Sequence, residues 1–299
     1  MPGIDRGIGI TEFLHEGTDV AVIALFGLLT QLGDVWFLFA LGSVLYLAGT
    51  ELPSVYVDRR HGLFVLALVF AYVALVGAVK ALFGLPRPPG AADAPAVAWL
   101  PPVLAAVFEN IATGTGPGFP SGHALGSTMV WGGVALVLDD LSDRVRFGLA
   151  SVVVTIVVTS RLVLGVHYAV DVIAGIALGL AVLGACYWLA DGGTAPGRVL
   201  AVAVAAGIVG VVVDGSGESV AAAGTAIGGW LAWRTVADAT PSRPANRREL
   251  LGSALVLVAV GTLFGAFYVL DPPVPVAFAG AAVAGGGVVA APVLGERFA

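Results

Sequence analysis

Long apolar runs, broken by short polar turns, recur along this chain and leave it few folds. An α-helix needs roughly 20 apolar residues to cross the hydrocarbon core of a bilayer. Runs near that length are Gly62 to Phe83, Phe147 to Val166, Val170 to Leu189, Leu250 to Leu270 and Val274 to Leu294. Shorter ones are Ala124 to Leu138, Val199 to Val213 and Val220 to Trp233. A further region, Val20 to Leu47, is interrupted by Gln31-Leu32-Gly33-Asp34, so its first part reads as a separate interfacial or half-inserted helix. Backbone polar groups in lipid must be paired inside the structure, which selects helices or closed barrels. The period-2 alternation of barrel strands is not apparent. The expectation is all-α, a polytopic transmembrane helical bundle.

Composition agrees with that class. Only 11% of residues are charged and 58% are hydrophobic, against about 25% charged in a soluble domain. The net charge of -6 gives no support for nucleic-acid binding. The single cysteine, Cys186, lies in an apolar run and excludes an internal disulfide framework; it reads as a buried, inert thiol. The first residues, Met1 to Asp19, carry Asp5, Glu12, Glu16 and Asp19 and lack the basic region and short apolar core of a cleaved signal peptide. They read as a retained segment near the membrane surface. The stretch Ala96 to Ile111, inside the Pro- and Gly-rich loop from Gly84 to Phe119, reads as a short surface helix.

If the spans alternate, the basic residues divide unequally. Arg59, Arg60, Arg144, Arg146, Arg198, Arg234, Arg243, Arg247, Arg248 and Arg297 fall on one side, and only Arg6, Lys80, Arg87 and Arg161 on the other. Arginine-rich loops stay cytoplasmic, so the side with Lys80, Arg87, His123 and His167 is expected to face outward.

Three polar clusters sit at span ends on that outward side. Lys80, the only lysine, stands near the end of a helix, with Arg87-Pro88 after a Gly84/Pro86 turn. Charge at membrane depth is costly and usually functional, although a snorkelling lysine explains Lys80 equally well on its own. Phe119-Pro120-Ser121-Gly122-His123 precedes an apolar helix. Ser and Pro suit a helix start, and the free N–H groups there attract anions; an ordinary N-cap with a surface histidine fits too. Ser160-Arg161 ends another span, followed by His167 and Asp171, four apart and on one face if helical. A carboxylate beside an imidazole fixes its tautomer, and a purely structural pair does the same. Together the clusters place three cations around two histidines, an arrangement suited to a phosphate dianion, whose transfer depends on positioning and charge stabilisation.

Lys80-x6-Arg87-Pro88, Pro120-Ser121-Gly122-His123 and Ser160-Arg161-x5-His167-x3-Asp171 resemble, in order and without departure, the three-part signature of the type 2 phosphatidic acid phosphatase (PAP2) superfamily. The resemblance covers roughly Asp34 to Leu189. It implies a PAP2-like catalytic transmembrane core at 34–190, preceded by the interfacial or half-inserted segment 1–33 and followed by additional transmembrane helices at 198–299. It implies that Lys80, Arg87 and Arg161 bind phosphate oxygens, with Ser121 and the Gly122 backbone N–H adding hydrogen bonds. His167 would attack phosphorus and become phosphohistidine, Asp171 would orient it, and His123 would act as general acid and then base. It implies no metal and no cofactor, a lipid phosphate monoester or pyrophosphate as partner, and a multi-pass cell-membrane protein with its site on the extracytoplasmic face. A phosphotransferase on the same scaffold and a non-enzymatic anion transporter are the alternatives.

Overall fold

The computed structural model describes residues 6–53, 55–95, 97, 100–244, 246–270 and 272–297. Residues 1–5 of the Met1 to Asp19 segment, and Ala96, Ala98 and Trp99 of the Ala96 to Ile111 stretch, lie outside them. The described residues form helices and no strands. In chain order these are α1 (Ile10–His15), α2 (Val20–Leu29), α3 (Val35–Ala48), α4 (Arg59–Phe83), α5 (Pro102–Ala112), α6 (Gly122–Val137), α7 (Asp143–Val163), α8 (Ala169–Leu189), α9 (Pro196–Val213), α10 (Gly217–Val236), α11 (Arg247–Leu270) and α12 (Val274–Arg297). Short polar residues open several of them. Asp19, Asp34, Asp58, Ser121 and Ser216 each cap the following helix by accepting a first-turn backbone N–H, which satisfies a donor that a helix start otherwise leaves bare.

Six helices, α4, α7, α8, α9, α11 and α12, are long and apolar enough to cross a membrane. A seventh span arises if α2 and α3 count as one, bent by 44°. The bend falls where the sequence shows its interruption. Thr30–Gly33 tightens into a 3-10 turn and Asp34 restarts the chain as the cap of α3. Two runs that read as spans, α6 and α10, fall outside that set. Both are lined by other helices, α6 by α4, α7 and α8, and α10 by α4, α9 and α12, so small residues serve there in place of long apolar ones.

The centre of the bundle is α4, which packs against α3, α6, α9 and α10. Its side chains from Leu63 to Tyr72 are almost wholly enclosed. Layers continue outward on both sides: α7 and α8 flank α6, while α12 lies on α10 and α11 on α12. Large apolar side chains on the outer faces stay exposed, among them Leu149, Ile173, Leu180, Ile208, Leu255 and Phe264. Such a belt is the surface a bilayer covers.

The bundle has two distinct ends. At one, Glu249 bonds Arg59 at 2.5 Å, the Arg59 backbone N–H donates to the Ser242 carbonyl at 3.1 Å, and the Tyr56 N–H donates to Asp140 at 2.6 Å. The loops bearing the larger arginine group gather there. At the other end lie the α2–α3 junction, the loop after α4, the starts of α6 and α8, and the α9–α10 turn.

Candidate active site

All three motif clusters reach the second end, each by its own local geometry. Lys80 occupies the last turn of α4, which Gly84 terminates in the left-handed conformation at φ 57°, its N–H donating to the Lys80 carbonyl. The chain then turns through Pro86 into Arg87. Arg87 is anchored by carbonyls: its Nε donates to Thr115 at 3.0 Å and Gly116 at 3.2 Å, and Nη1 to Val166 at 2.8 Å. Arg161, only 4% exposed at the end of α7, donates to Thr30 Oγ1 at 3.1 Å. At the start of α6, Ser121 is fully buried and its Oγ accepts the Ala124 N–H at 3.4 Å, while its own N–H donates to the Asp171 carbonyl at 3.0 Å. Ser121 thus stands beside the cluster with its hydroxyl engaged as a helix cap. Gly122 leaves a slot: a Cβ there would lie 3.9 Å from Lys80 Cε and 3.5 Å from the Tyr72 hydroxyl.

His167 is the focus of these contacts. It is 1% exposed, in the turn between α7 and α8. Asp171 is the third residue of α8, where its Oδ2 reaches back to the Tyr168 N–H at 3.0 Å. That half of a capping box holds the same oxygen 3.4 Å from His167 Nδ1. On the opposite side of the ring, Arg87 Nη1 lies 3.0 Å from Nε2. A guanidinium only donates, so Nε2 is the acceptor and the neutral ring carries its proton on Nδ1, facing Asp171. Burial, and then the charges of Arg161, Arg87 and Lys80, hold the His167 pKa well below the usual 6.5. The ring is therefore neutral at physiological pH, with its lone pair on Nε2 turned to the Arg87 guanidinium.

Close helix packing brings the second histidine alongside. A Cβ on Gly175 would meet the Ser121 carbonyl oxygen at 2.7 Å, and one on Gly179 would meet Thr128 Cβ at 2.9 Å. The two glycines let α8 lie directly on α6, and so the His167–Asp171 turn sits next to Ser121-Gly122-His123. His123 lies within electrostatic reach of His167. Its Nε2 is buried, has no hydrogen bond, and stands 3.6 Å from Asp34 Oδ2.

Several residues at the site carry no motif. Thr30 and Asp34 come from the break between α2 and α3; the interruption of an apolar run was their sequence signal, without any indication of partner. Arg6 is 6% exposed and pairs with Asp171 Oδ1. A lone cation in an acidic segment gave no sequence signal for that role. Among the described residues no group of three or more His, Cys, Asp or Glu is placed to hold a metal.

The family model of the PAP2 superfamily matches residues 61–194, which include Lys80, Arg87, Ser121, Gly122, His123, Arg161, His167 and Asp171. No curated protein and no solved structure matches the chain. Arg6, Thr30 and Asp34 precede the matched stretch, and α9 to α12 follow it. Residues 61–194, with the cations and histidines assembled at one end of a helical bundle, are the part of the chain that is similar to the PAP2 superfamily.

Proposed function

We propose that this chain is a membrane phosphatase that hydrolyses a lipid phosphate monoester or pyrophosphate through a phosphohistidine at His167. The observation that carries the reading is the polarity of the His167 ring: Nδ1 faces the Asp171 carboxylate and Nε2 faces the Arg87 guanidinium. A nucleophile needs an oriented partner on one side and a lone pair on the other, and a phosphoryl group that draws the Arg87 guanidinium from Nε2 onto its own oxygens, beside Lys80 and Arg161, would lie against Nε2.

In the first step the Nε2 lone pair attacks phosphorus in line. The P–N bond forms, the bond to the leaving oxygen breaks, and protonated His123 gives that oxygen its proton. Asp171 stabilises the charge that arises on the His167 ring. In the second step neutral His123 takes a proton from water, the hydroxide oxygen bonds to phosphorus, and the P–N electron pair returns to Nε2. Burial and Arg161 lower the His123 pKa, and Asp34, 3.6 Å from Nε2, works against them; the anionic substrate supplies the further negative charge that the protonated form needs. Lys80, Arg87 and Arg161 offset the charge on the equatorial oxygens, the task a divalent cation performs in other phosphoryl-transfer sites.

The substrate class follows from the setting. The cluster lies at the end of a bundle sheathed in exposed apolar side chains, so a phosphate already anchored in the bilayer is presented at the right depth. The arginine imbalance orients this end away from the cytoplasm. The test is phosphate release by the detergent-purified chain, in EDTA, from a panel of phosphatidate, phosphatidylglycerophosphate and polyprenyl pyrophosphate. Release is expected from at least one lipid and is lost in His167→Ala. Undiminished release by that variant removes His167 as the nucleophile.

A further inference from the structure

We propose that Arg6 is a positioning residue of the phosphoryl-transfer site, clamping the Asp171 carboxylate in register with His167. The proposal rests on the phosphohistidine reading above. Asp171 has two oxygens and they are used differently. Oδ2 serves the Tyr168 N–H and the His167 ring. Oδ1 is held by Arg6 Nη1. The other fork nitrogen, Nη2, donates to the Pro86 carbonyl, one residue before Arg87. The Arg6 guanidinium also stands 5.8 Å from the centre of the Phe119 ring and 5.2 Å from that of Tyr168. One side chain therefore touches the Arg87 loop, the segment leading into Ser121, and the turn between His167 and Asp171. These are the three stretches that must stay in register for phosphoryl transfer.

The helix that follows reinforces the clamp. Thr11 Oγ1 donates to the His167 carbonyl at 3.0 Å, and His15 Nδ1 lies 2.9 Å from the Val163 carbonyl. The N-terminal segment thus grips the nucleophile-bearing turn at its carbonyls and its carboxylate. A planar, two-pronged guanidinium suits the task, since it bonds a carboxylate and a carbonyl at once while stacking on aromatic faces. Without it, Oδ1 would be a carboxylate oxygen in an enclosed site with its donor removed. The carboxylate would be free to rotate away from Nδ1.

Orthovanadate, which mimics phosphorus in transit, tests this without needing the natural lipid. Its affinity is measured by isothermal titration on the detergent-purified full chain, from about pH 5 to 8. Asp171 is faced by Arg6, Arg87 and Lys80, and His167 by Arg161, Arg87, Lys80 and His123; these groups shape the wild-type profile. Loss of one charge-assisted bond predicts about tenfold weaker binding in Arg6→Gln. The deficit should widen as pH falls, because a carboxylate deprived of its cation takes up a proton at higher pH. Arg6→Lys, which keeps the charge, should recover the wild-type pH profile and most of the affinity. A wild-type profile in Arg6→Gln, with no binding in His167→Ala, overturns the role of Arg6 and leaves the phosphohistidine reading standing. Wild-type binding in His167→Ala removes that reading itself. If Arg6→Gln does not fold, a uniform loss at every pH in Arg6→Lys marks a mere structural strap and overturns the proposal.

Discussion

The chemistry at His167 comes down to where one proton sits. The ring is enclosed, and Arg87, Arg161 and Lys80 surround it, so the folded chain binds an additional proton more weakly than the unfolded chain does. The sign for stability follows. Between the lowered folded value and the ordinary 6.5, the unfolded chain holds a proton that the folded one lacks. Stability from this group is full above 6.5 and drains away as pH falls below it, at about 1.4 kcal/mol per pH unit until the folded value is reached. A glutamine at this position cannot take up that proton. Acidification should therefore lower the apparent unfolding temperature of the detergent-solubilised wild type more than that of His167→Gln. Equal losses in the two proteins would show that the ring titrates normally and that the cations do not control it. The proposed mechanism draws on the same property, since a ring that stays neutral below 6.5 would keep its lone pair for attack in mildly acidic surroundings.

At the scale of elements, the site depends on how closely α8 lies on α6. Gly175 faces the Ser121 carbonyl oxygen, where an added Cβ would approach to 2.7 Å, and Ala124 Cβ at 2.9 Å. Neither obstacle is a flexible side-chain end, so Gly175→Ala must push the helices apart. A displacement of this kind, on the order of 1 Å, costs about 10²-fold in rate when reacting groups lose alignment, and overpacking destabilises by about 1–3 kcal/mol. Gly184 lies on the same helix, where a Cβ meets nothing within 4 Å. Gly184→Ala should release phosphate like the wild type while Gly175→Ala falls about 10²-fold; parity between them would mean that the glycine contact does not set the site. This contact also shows what a sequence carries. The small-xxx-small spacing of Gly175 and Gly179 permits close packing and leaves the partner open, because periodicity describes a face and never names what covers it. For the same reason Asp34 was visible as a break in an apolar run, while its neighbour His123, distant in the chain, was not. The motif residues were legible because each is held by local helix-end geometry: Ser121 as a cap, Asp171 reaching back to Tyr168, Lys80 in a final turn. Arg6 has no local constraint of that kind and was illegible as a site residue. Helix α10 read as a span from its small apolar residues, yet those residues answer to α4, α9 and α12 as well as to lipid.

For the whole molecule, the decisive property is that its two ends gather different side chains. The loops around Arg59, Arg144, Arg198 and Arg243 meet at one end, fastened by the buried Arg59–Glu249 pair between α4 and α11. The cluster around His167 lies at the other. Helices α9 and α10, beyond the family-matched stretch, pack along α4, so the central helix that presents Lys80 is enclosed by both parts of the chain. Translocating arginine-rich loops is disfavoured, so the proposed orientation puts the arginine end in the cytoplasm and the His167 end outside. Accessible single cysteines test this directly. Cys186 is buried and its replacement by alanine clears the background. In that background Asn110→Cys places a thiol on exposed α5, in the loop between Arg87 and Ser121, and Thr194→Cys places one in the exposed turn between α8 and α9, where Gly193 packs near His61. A membrane-impermeant maleimide applied to intact cells should modify the first and spare the second until the membrane is permeabilised. The reverse pattern would put His167 in the cytoplasm and restrict the enzyme to lipid phosphates of the inner leaflet. Labelling of both cysteines in intact cells would mean that the chain inserts in two orientations, and that the arginine imbalance does not govern its topology.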